Sequence, residues 1–181
     1  NLPTAATVAF NPTAVFANGQ ISSQVTITVT RNSVLVPNGT RVAVSAHPSL
    51  SSTSLGGTIS GPSVGASVDG RFLMFETFGG QIVVNYAPPD LVGQGFTSSG
   101  SVSVQVYSID LDTRPVGFLG SGNIQVAGPS TAVGSANPTR MNQFGSSTIT
   151  FSQVKDGLAA IVPDGTRIGV RVGTLVNADR F

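Results

Sequence analysis

The 181-residue chain has no cysteine, no tryptophan and one lysine, Lys155. Without cysteine it forms no disulfides, so its fold depends on the core alone. Charged residues make up 9% of the chain, against about 25% in ordinary globular domains, and the formal net charge is +1. No basic patch points to a nucleic-acid partner. No apolar run approaches the ~20 residues of a membrane helix, so no membrane insertion is expected.

What the chain does contain is alternation. Hydrophobic residues make up 40% of it, which is not the composition of a disordered chain. Apolar and polar residues alternate with period two over residues 25–30, 42–46, 82–86 and 102–106. This pattern is typical of antiparallel strands with one buried face and one wet face.

The alternation and the Gly, Pro, Asn and Ser clusters between strands predict an all-β sandwich. The predicted strands are residues 5–10, 13–17, 21–30, 40–47, 71–76, 81–87, 101–109 and 116–126. Residues 47–70 are predicted to be a long loop with one or two short edge strands. Residues 88–100 are predicted to be a second loop.

An internal repeat is the most informative feature of the sequence. Residues 11–13 (Asn-Pro-Thr) return as residues 137–139, Gly19 returns as Gly145, and residues 36–42 return as 162–168. The period is 126 residues, the difference between 137 and 11. A fixed period of domain size indicates tandem copies of one folding unit.

The repeat predicts an Ig-like sandwich over residues 1–127 and the first half of a second over residues 128–181. A short linker lies between them, and its residues are the predicted inter-domain or assembly contacts: Val126, Ala127, Gly128, Pro129 and Ser130. Because the linker is short and contains proline, we expect semi-rigid head-to-tail domains.

The second copy contains only part of the repeat. Its predicted strands, residues 146–151 and 167–172, would expose apolar faces and unpaired edges that recruit another strand. Two explanations stay open. The chain is a piece of a longer array, or a neighbouring chain completes the half-domain by strand addition and builds a head-to-tail polymer.

Several segments carry a family resemblance. They are Ala17-Asn18-Gly19, the alternating strand over residues 23–30, and the turn at residues 36–40 that leads into residues 42–46. Together they resemble the bacterial Ig-like domains of the invasin and intimin adhesins. The resemblance implies tandem Ig-like sandwiches with a spacer role at the cell surface. The chain departs from the family at residues 31–37, which lack its usual acidic residue, and at residues 142–144, where Ala-Asn would be expected.

Two candidate sites follow from local sequence. Asp110 and Asp112 are candidate Ca²⁺ ligands, because strand alternation would put both carboxylates on one face. The other interpretation is a polar turn. Asn38 heads the pattern Asn-Gly-Thr of an N-glycosylation site, but the same residues are also a tight turn. The second copy has Asp164 there, which keeps the turn and loses the glycosylation pattern.

No catalytic residue and no cofactor are predicted. The single histidine, His47, precedes Pro48 in a Ser-rich loop, and no pair among Asp69, Glu76 and Asp90 is favoured as a catalytic dyad. We therefore expect a non-enzymatic extracellular stalk or self-assembling fibre, with copies of itself as partners and glycans as possible additions. A carbohydrate- or receptor-binding module is one alternative, and a viral or phage surface sandwich is the other.

Overall fold

A computed structural model of the chain describes residues 2–48, 56–66, 71–92, 99–142 and 144–168. The described residues are essentially all-β, which confirms the predicted fold class. They include no helix long and apolar enough to cross a membrane.

Thirteen strands follow one another along the described residues. They are β1 (Ala5–Asn11), β2 (Ala14–Phe16), β3 (Ser23–Arg31), β4 (Val34–Leu35), β5 (Arg41–Pro48), β6 (Thr58–Ser60), β7 (Gly65–Ala66), β8 (Leu73–Glu76), β9 (Gln81–Ala87), β10 (Ser99–Ile109), β11 (Pro115–Ala127), β12 (Pro129–Asn137) and β13 (Thr148–Asp156). Eight of them lie close to the strands predicted from alternation.

The first eleven strands form two sheets. Sheet I has the order β1-β3-β9-β6, with β4 also paired to β3, and sheet II has the order β2-β11-β10-β5-β8-β7. All pairs are antiparallel except β2 with β11, which are parallel. The short strands β6 and β7 lie at the sheet edges, as predicted for the loop over residues 47–70.

The core lies between the two sheets. The side chains of Val25, Ile27 and Val29 on β3 are fully buried in one cluster with alternate residues of β10. Their threonine neighbours face outward and are only partly buried. The period-two pattern therefore marks the core face correctly, and sheets I and II together form a β-sandwich, called here the first sandwich.

At one edge of the first sandwich, the backbones of sheets I and II come into close contact. Strand β1 of sheet I passes over β11 at Gly120 and Gly122. A Cβ atom on Gly122 would lie 2.7 Å from the carbonyl oxygen of Val8, and one on Gly120 would overlap the carbonyl of Ala6. Glycine at these positions lets the two backbones meet where a side chain would not fit.

Strands β12 and β13 form a separate antiparallel hairpin, which repeats the pairing of β1 with β3. In β1–β3, Asn11 pairs with Gln24 and Val8 with Ile27. In the second-copy hairpin, Asn137 pairs with Thr148 and Gly134 with Phe151. The offset is 126 residues on the first strand of each hairpin and 124 on the second, as 137 minus 11 and 148 minus 24 give.

This register corrects one of the matches read from the sequence. Asn18 accepts a hydrogen bond from the backbone of Gln20, and Asn142 accepts the corresponding bond from Phe144. Asn142 is thus the counterpart of Asn18, and Gly145 is not the counterpart of Gly19. The second copy is two residues shorter in this connection, and its described residues include no strand equivalent to β2.

The predicted linker is reduced to one residue. Val126 and Ala127 end β11 and are buried in the first sandwich, while Pro129 and Ser130 begin β12. Only Gly128 lies between the two strands. The second strand predicted for the second copy covers residues 167–172. Its residues 169–172 lie outside the described residues.

Candidate assembly site

The second-copy hairpin exposes the face that is the core face in the first sandwich. Ile149 and Phe151 are 53% and 43% exposed, whereas their counterparts Val25 and Ile27 are 0% exposed. Val154, the counterpart of Val29, is half-buried. We call Ile149, Phe151 and Val154 the open face.

The open face keeps the chemistry of a sandwich core. Full burial of a large aliphatic or aromatic side chain contributes about 1.5–3 kcal/mol. Ile149 and Phe151 are each about half exposed, so covering them would contribute roughly 1 kcal/mol apiece. Ile168 adds to the exposed apolar surface, because it is 40% exposed and its counterpart Val42 is buried.

Within the part of the chain that the structure describes, one edge of β13 is also largely unpaired. In the first sandwich, β3 pairs with β1 on one side and with β9 on the other, from Ser23 with Tyr86 to Thr28 with Gln81. Among the described residues, β13 pairs with β12 and makes one further bridge, between Lys155 and Ile161. An unpaired strand edge next to exposed apolar side chains is a surface that accepts another strand.

A polar junction joins the hairpin to the first sandwich. The backbone N–H of Gly157 donates to the carbonyl oxygen of Gly128 at 3.0 Å. A cavity of about 300 Å³ lies between the first sandwich and the second copy. It is lined from the first sandwich by Asn18, Gln20, Asp90 and Val92, and from the second copy by Asp164, Gly165, Thr166 and Arg167.

The turn that reaches this junction exists twice. In the first copy, the Thr40 hydroxyl donates to the carbonyl of Pro37 at 2.8 Å, and Gly39 has φ +77°. In the second copy, the Thr166 hydroxyl donates to Pro163 at 2.6 Å, and Gly165 has φ +80°. The two turns share one conformation, although the first lies at the far end of the sandwich from the junction.

Asp110 and Asp112 do not share a strand face, so the alternation argument for Ca²⁺ was wrong. Both lie just beyond the end of β10, in the connection to β11. One Asp110 oxygen accepts hydrogen bonds from the backbone N–H groups of Asp112 (3.0 Å) and Arg114 (2.8 Å). Among the described residues, no three His, Cys, Asp or Glu side chains come together as a metal site.

Asp156 fixes the turn that follows β13 in the same way as Asp110 fixes the turn after β10. Its carboxylate accepts the backbone N–H groups of Leu158 and Ala160, both at 2.9 Å. In each turn the residue before the second donor has positive φ, Thr113 in one and Ala159 in the other. A carboxylate that bonds its own turn in this way fixes the turn locally.

The Asn38 side chain is also part of a turn. Its oxygen accepts the backbone N–H of Gly79 at 2.6 Å, so it ties the turn at residues 37–40 to the β8–β9 connection. Asn38 is exposed. His47 pairs in register with Ser103 across β5 and β10.

Sequence reasoning missed an aromatic cluster on the outer face of sheet II. Tyr107 contacts Phe72 and Phe118 edge-to-face, with ring centroids 5.2 and 5.5 Å apart. The Tyr107 hydroxyl donates to Gln105 at 2.8 Å, and Phe118 is 58% exposed. The signal was available, because Gln105 and Tyr107 are the outward positions of an alternating strand.

The site residues predicted from the sequence lie in two separate regions. The structure brings the linker residues and the apolar strand of the second copy to one region, and it places Asn38, Asp110 and Asp112 at the opposite end of the first sandwich. The chain matches no protein-family model and no curated protein.

Proposed function

We propose that the chain is a structural, non-enzymatic protein: an extracellular stalk or fibre segment built from tandem Ig-like sandwiches. The observation that carries the proposal is the open face, because Ile149 and Phe151 occupy positions whose counterparts are completely buried. In the assembled protein, strands equivalent to those of sheet II cover this face. They belong to the same repeat or to a neighbouring chain.

The strand order supports the Ig-like part of the proposal. In Ig sandwiches one sheet has the order A-B-E-D and the other contains C, F and G. Sheet I, with β1-β3-β9-β6, follows the first order, and β5, β10 and β11 of sheet II correspond to C, F and G. The β7–β8 pair is an addition that lies between the counterparts of D and E.

The surface chemistry supports assembly rather than catalysis. With 9% charged residues and a net charge of +1, copies of the chain repel one another weakly, and low net charge favours association. The one-residue connection at Gly128 and its hydrogen bond from Gly157 favour a fixed end-to-end arrangement of the copies.

Negative-stain electron microscopy of the full chain, over a range of concentrations, tests the proposal. Filaments with a regular axial repeat would mean that a neighbour completes the half-domain. Short discrete rods would mean that the chain is a piece of a longer stalk. A compact closed ring or shell would contradict both and favour a viral or phage surface protein.

A pair of variants sharpens this test. Ile149→Ser with Phe151→Ser removes the apolar open face, and it should shorten any filaments because the covering strands lose their contacts. Val83→Ser is the matched control, because Val83 is 49% exposed in the middle of sheet I's outer face. Filaments unaffected by the double substitution would count against the open face as the assembly surface.

A second candidate function is carbohydrate binding, favoured by the cluster of Phe72, Tyr107 and Phe118 beside Gln105. Exposed aromatic rings next to hydrogen-bonding side chains are suited to sugar rings. Glycan-array binding by the wild-type chain, lost in Phe118→Ala, would support it. An array without signal for the wild type would reject it.

A further inference from the structure

We propose that the free end of the first sandwich is a docking surface for the second-copy hairpin of another copy of this chain. This free end, called here the upper end, is formed by residues 32–35, which include β4, and by the connections at residues 37–40, 78–80 and 110–114. The hairpin end is formed by Met141, Asn142 and Phe144. This inference rests on the proposed structural function and names the surfaces through which separate chains meet.

The first argument is the equivalence between the upper end and the internal junction. Inside one chain, the turn at residues 163–166 of the second copy faces Asn18 and Gln20 of the first sandwich. The turn at residues 37–40 is its counterpart, with the same hydrogen bonds and the same glycine conformation. The surface that makes the internal junction is therefore present a second time, and there it is exposed.

The second argument is the apolar character of the upper end. Phe78 is 82% exposed and Leu111 is completely exposed, and Val34 and Leu35 are exposed beside them. These residues come from three different connections, but the pairing of Arg41 with Glu76 and of Val42 with Ser108 brings those connections to one end. Exposed apolar residues concentrated at one end mark an interaction surface.

The third argument is the chemistry of the hairpin end. Asn142 and Phe144 repeat the loop of Asn18 and Gln20, down to the hydrogen bond that closes it. Where the polar Gln20 lines the internal junction, the second copy has Phe144, which is 89% exposed, and Met141 nearby is 57% exposed. The apolar hairpin end therefore matches the apolar upper end of another chain. Within one chain, the internal junction is instead lined mainly by polar residues, among them Asn18, Gln20 and Thr166.

The contact joins two different surfaces, so it is heterologous. A heterologous contact adds chains one after another in a line when the rotation between neighbours does not close a ring. The internal junction and the contact between chains then alternate along the filament.

Site-directed cross-linking of the full chain tests this arrangement, because the wild type has no cysteine. Asp112→Cys marks the upper end and Thr139→Cys marks the hairpin end, and both positions are exposed. The two single-cysteine chains, one carrying a mass tag, are mixed and treated with a bismaleimide. We expect mixed dimers well above the statistical share that random collision gives. A statistical mixture overturns the proposal.

Matched variants show whether the apolar residues make the contact. Phe78→Ser with Leu111→Ser, in the Asp112→Cys chain, should abolish the excess of mixed dimers, and Val83→Ser should leave it unchanged. Asn123→Cys, exposed on the outer face of sheet II, should give no excess with Thr139→Cys. An excess that survives the double substitution overturns this surface.

The outcomes also separate this inference from the proposed function. Filaments or rods in the electron microscope together with statistical cross-linking would leave the stalk or fibre proposal standing and reject this surface. A closed oligomer together with statistical cross-linking would reject both.

Discussion

Ile27 and Phe151 occupy the same position in two copies of one hairpin. Ile27 lies opposite Val8 and is fully buried, whereas Phe151 lies opposite Gly134 and is 43% exposed. The Phe151 ring extends over Gly134, where an added Cβ would lie 3.4 Å from it. The larger residue on one strand is thus matched by the loss of a side chain on the other, and the position keeps its apolar character in both copies.

Truncating these two residues should have very different effects on the isolated chain. Ile27→Ala leaves a cavity in a closed core and should lower the free energy of unfolding of the first sandwich by about 2–5 kcal/mol. Phe151→Ala removes a half-exposed ring of the second-copy hairpin and should lower the free energy of unfolding of the chain by less than about 1 kcal/mol. Urea denaturation followed by near-UV circular dichroism measures both.

Equal losses would mean that the open face is covered in the isolated chain. In assembled material the cost of Phe151→Ala should rise, because the face is then buried. Val83→Ala, on the outer face of sheet I, serves as the reference for an exposed strand position.

The close approach of β1 and β11 leads to a second prediction. Gly122→Ala places a methyl group against the carbonyl oxygen of Val8 and should destabilise the first sandwich by about 1–3 kcal/mol. Gly56→Ala is the control, since a Cβ at Gly56 meets no atom within 4 Å. Thermal unfolding should show a lower Tm for the first variant only. If both behave alike, the approach of the two strands is wider than described.

The hydrogen bonds of Asp110 lead to a third prediction. Asp110→Ala removes the acceptor of two backbone N–H groups and should lower the free energy of unfolding by about 1 kcal/mol. Asp112→Ala changes an exposed residue and should lower it little. Asp110→Asn should retain most of the stability. A Tm that rises on addition of Ca²⁺ and no longer does so in Asp112→Ala would instead favour the metal site first considered from the sequence.

The alternation of residues 25–30 predicted the core correctly, because a strand with one buried face must repeat every two residues. The same rule failed at Asp110 and Asp112. Two residues that are two positions apart share a face only while the strand continues, and β10 ends at Ile109. The hydrogen bonds of a turn, not its spacing, decide where such carboxylates point.

The repeat was visible in sequence, but its register was not. Residue identity at the 126-residue period aligned Gly19 with Gly145, whereas the hydrogen bonds align Asn18 with Asn142. The second copy lacks two residues in one connection. It regains one at Gln153, which has positive φ, and the other in the turn at residues 156–160, so the flanking matches keep the same offset. Only the pairing partners reveal the shift between them.

The buried Tyr86 leads to the last prediction. Tyr86 lies on β9 with no exposed surface, and its hydroxyl has no hydrogen-bond partner among the described residues. Burial raises the pKa of the Tyr86 phenol far above its usual value of 10.0. The ionised form is therefore favoured in the unfolded chain and disfavoured in the folded one.

The sign of the pH effect follows from this difference. Below the unfolded pKa both states hold the proton and the stability is fully present. Above about pH 10 the unfolded chain loses the proton first, so the free energy of unfolding falls as pH rises. Tyr86→Phe should remove Tyr86's share of this fall, and at neutral pH it should raise stability by about 1 kcal/mol, because an unpaired buried hydroxyl is lost. Urea denaturation of both proteins from pH 7 to pH 11 measures the two effects, and parallel curves with equal stabilities at pH 7 would show that water reaches the Tyr86 hydroxyl in the folded chain.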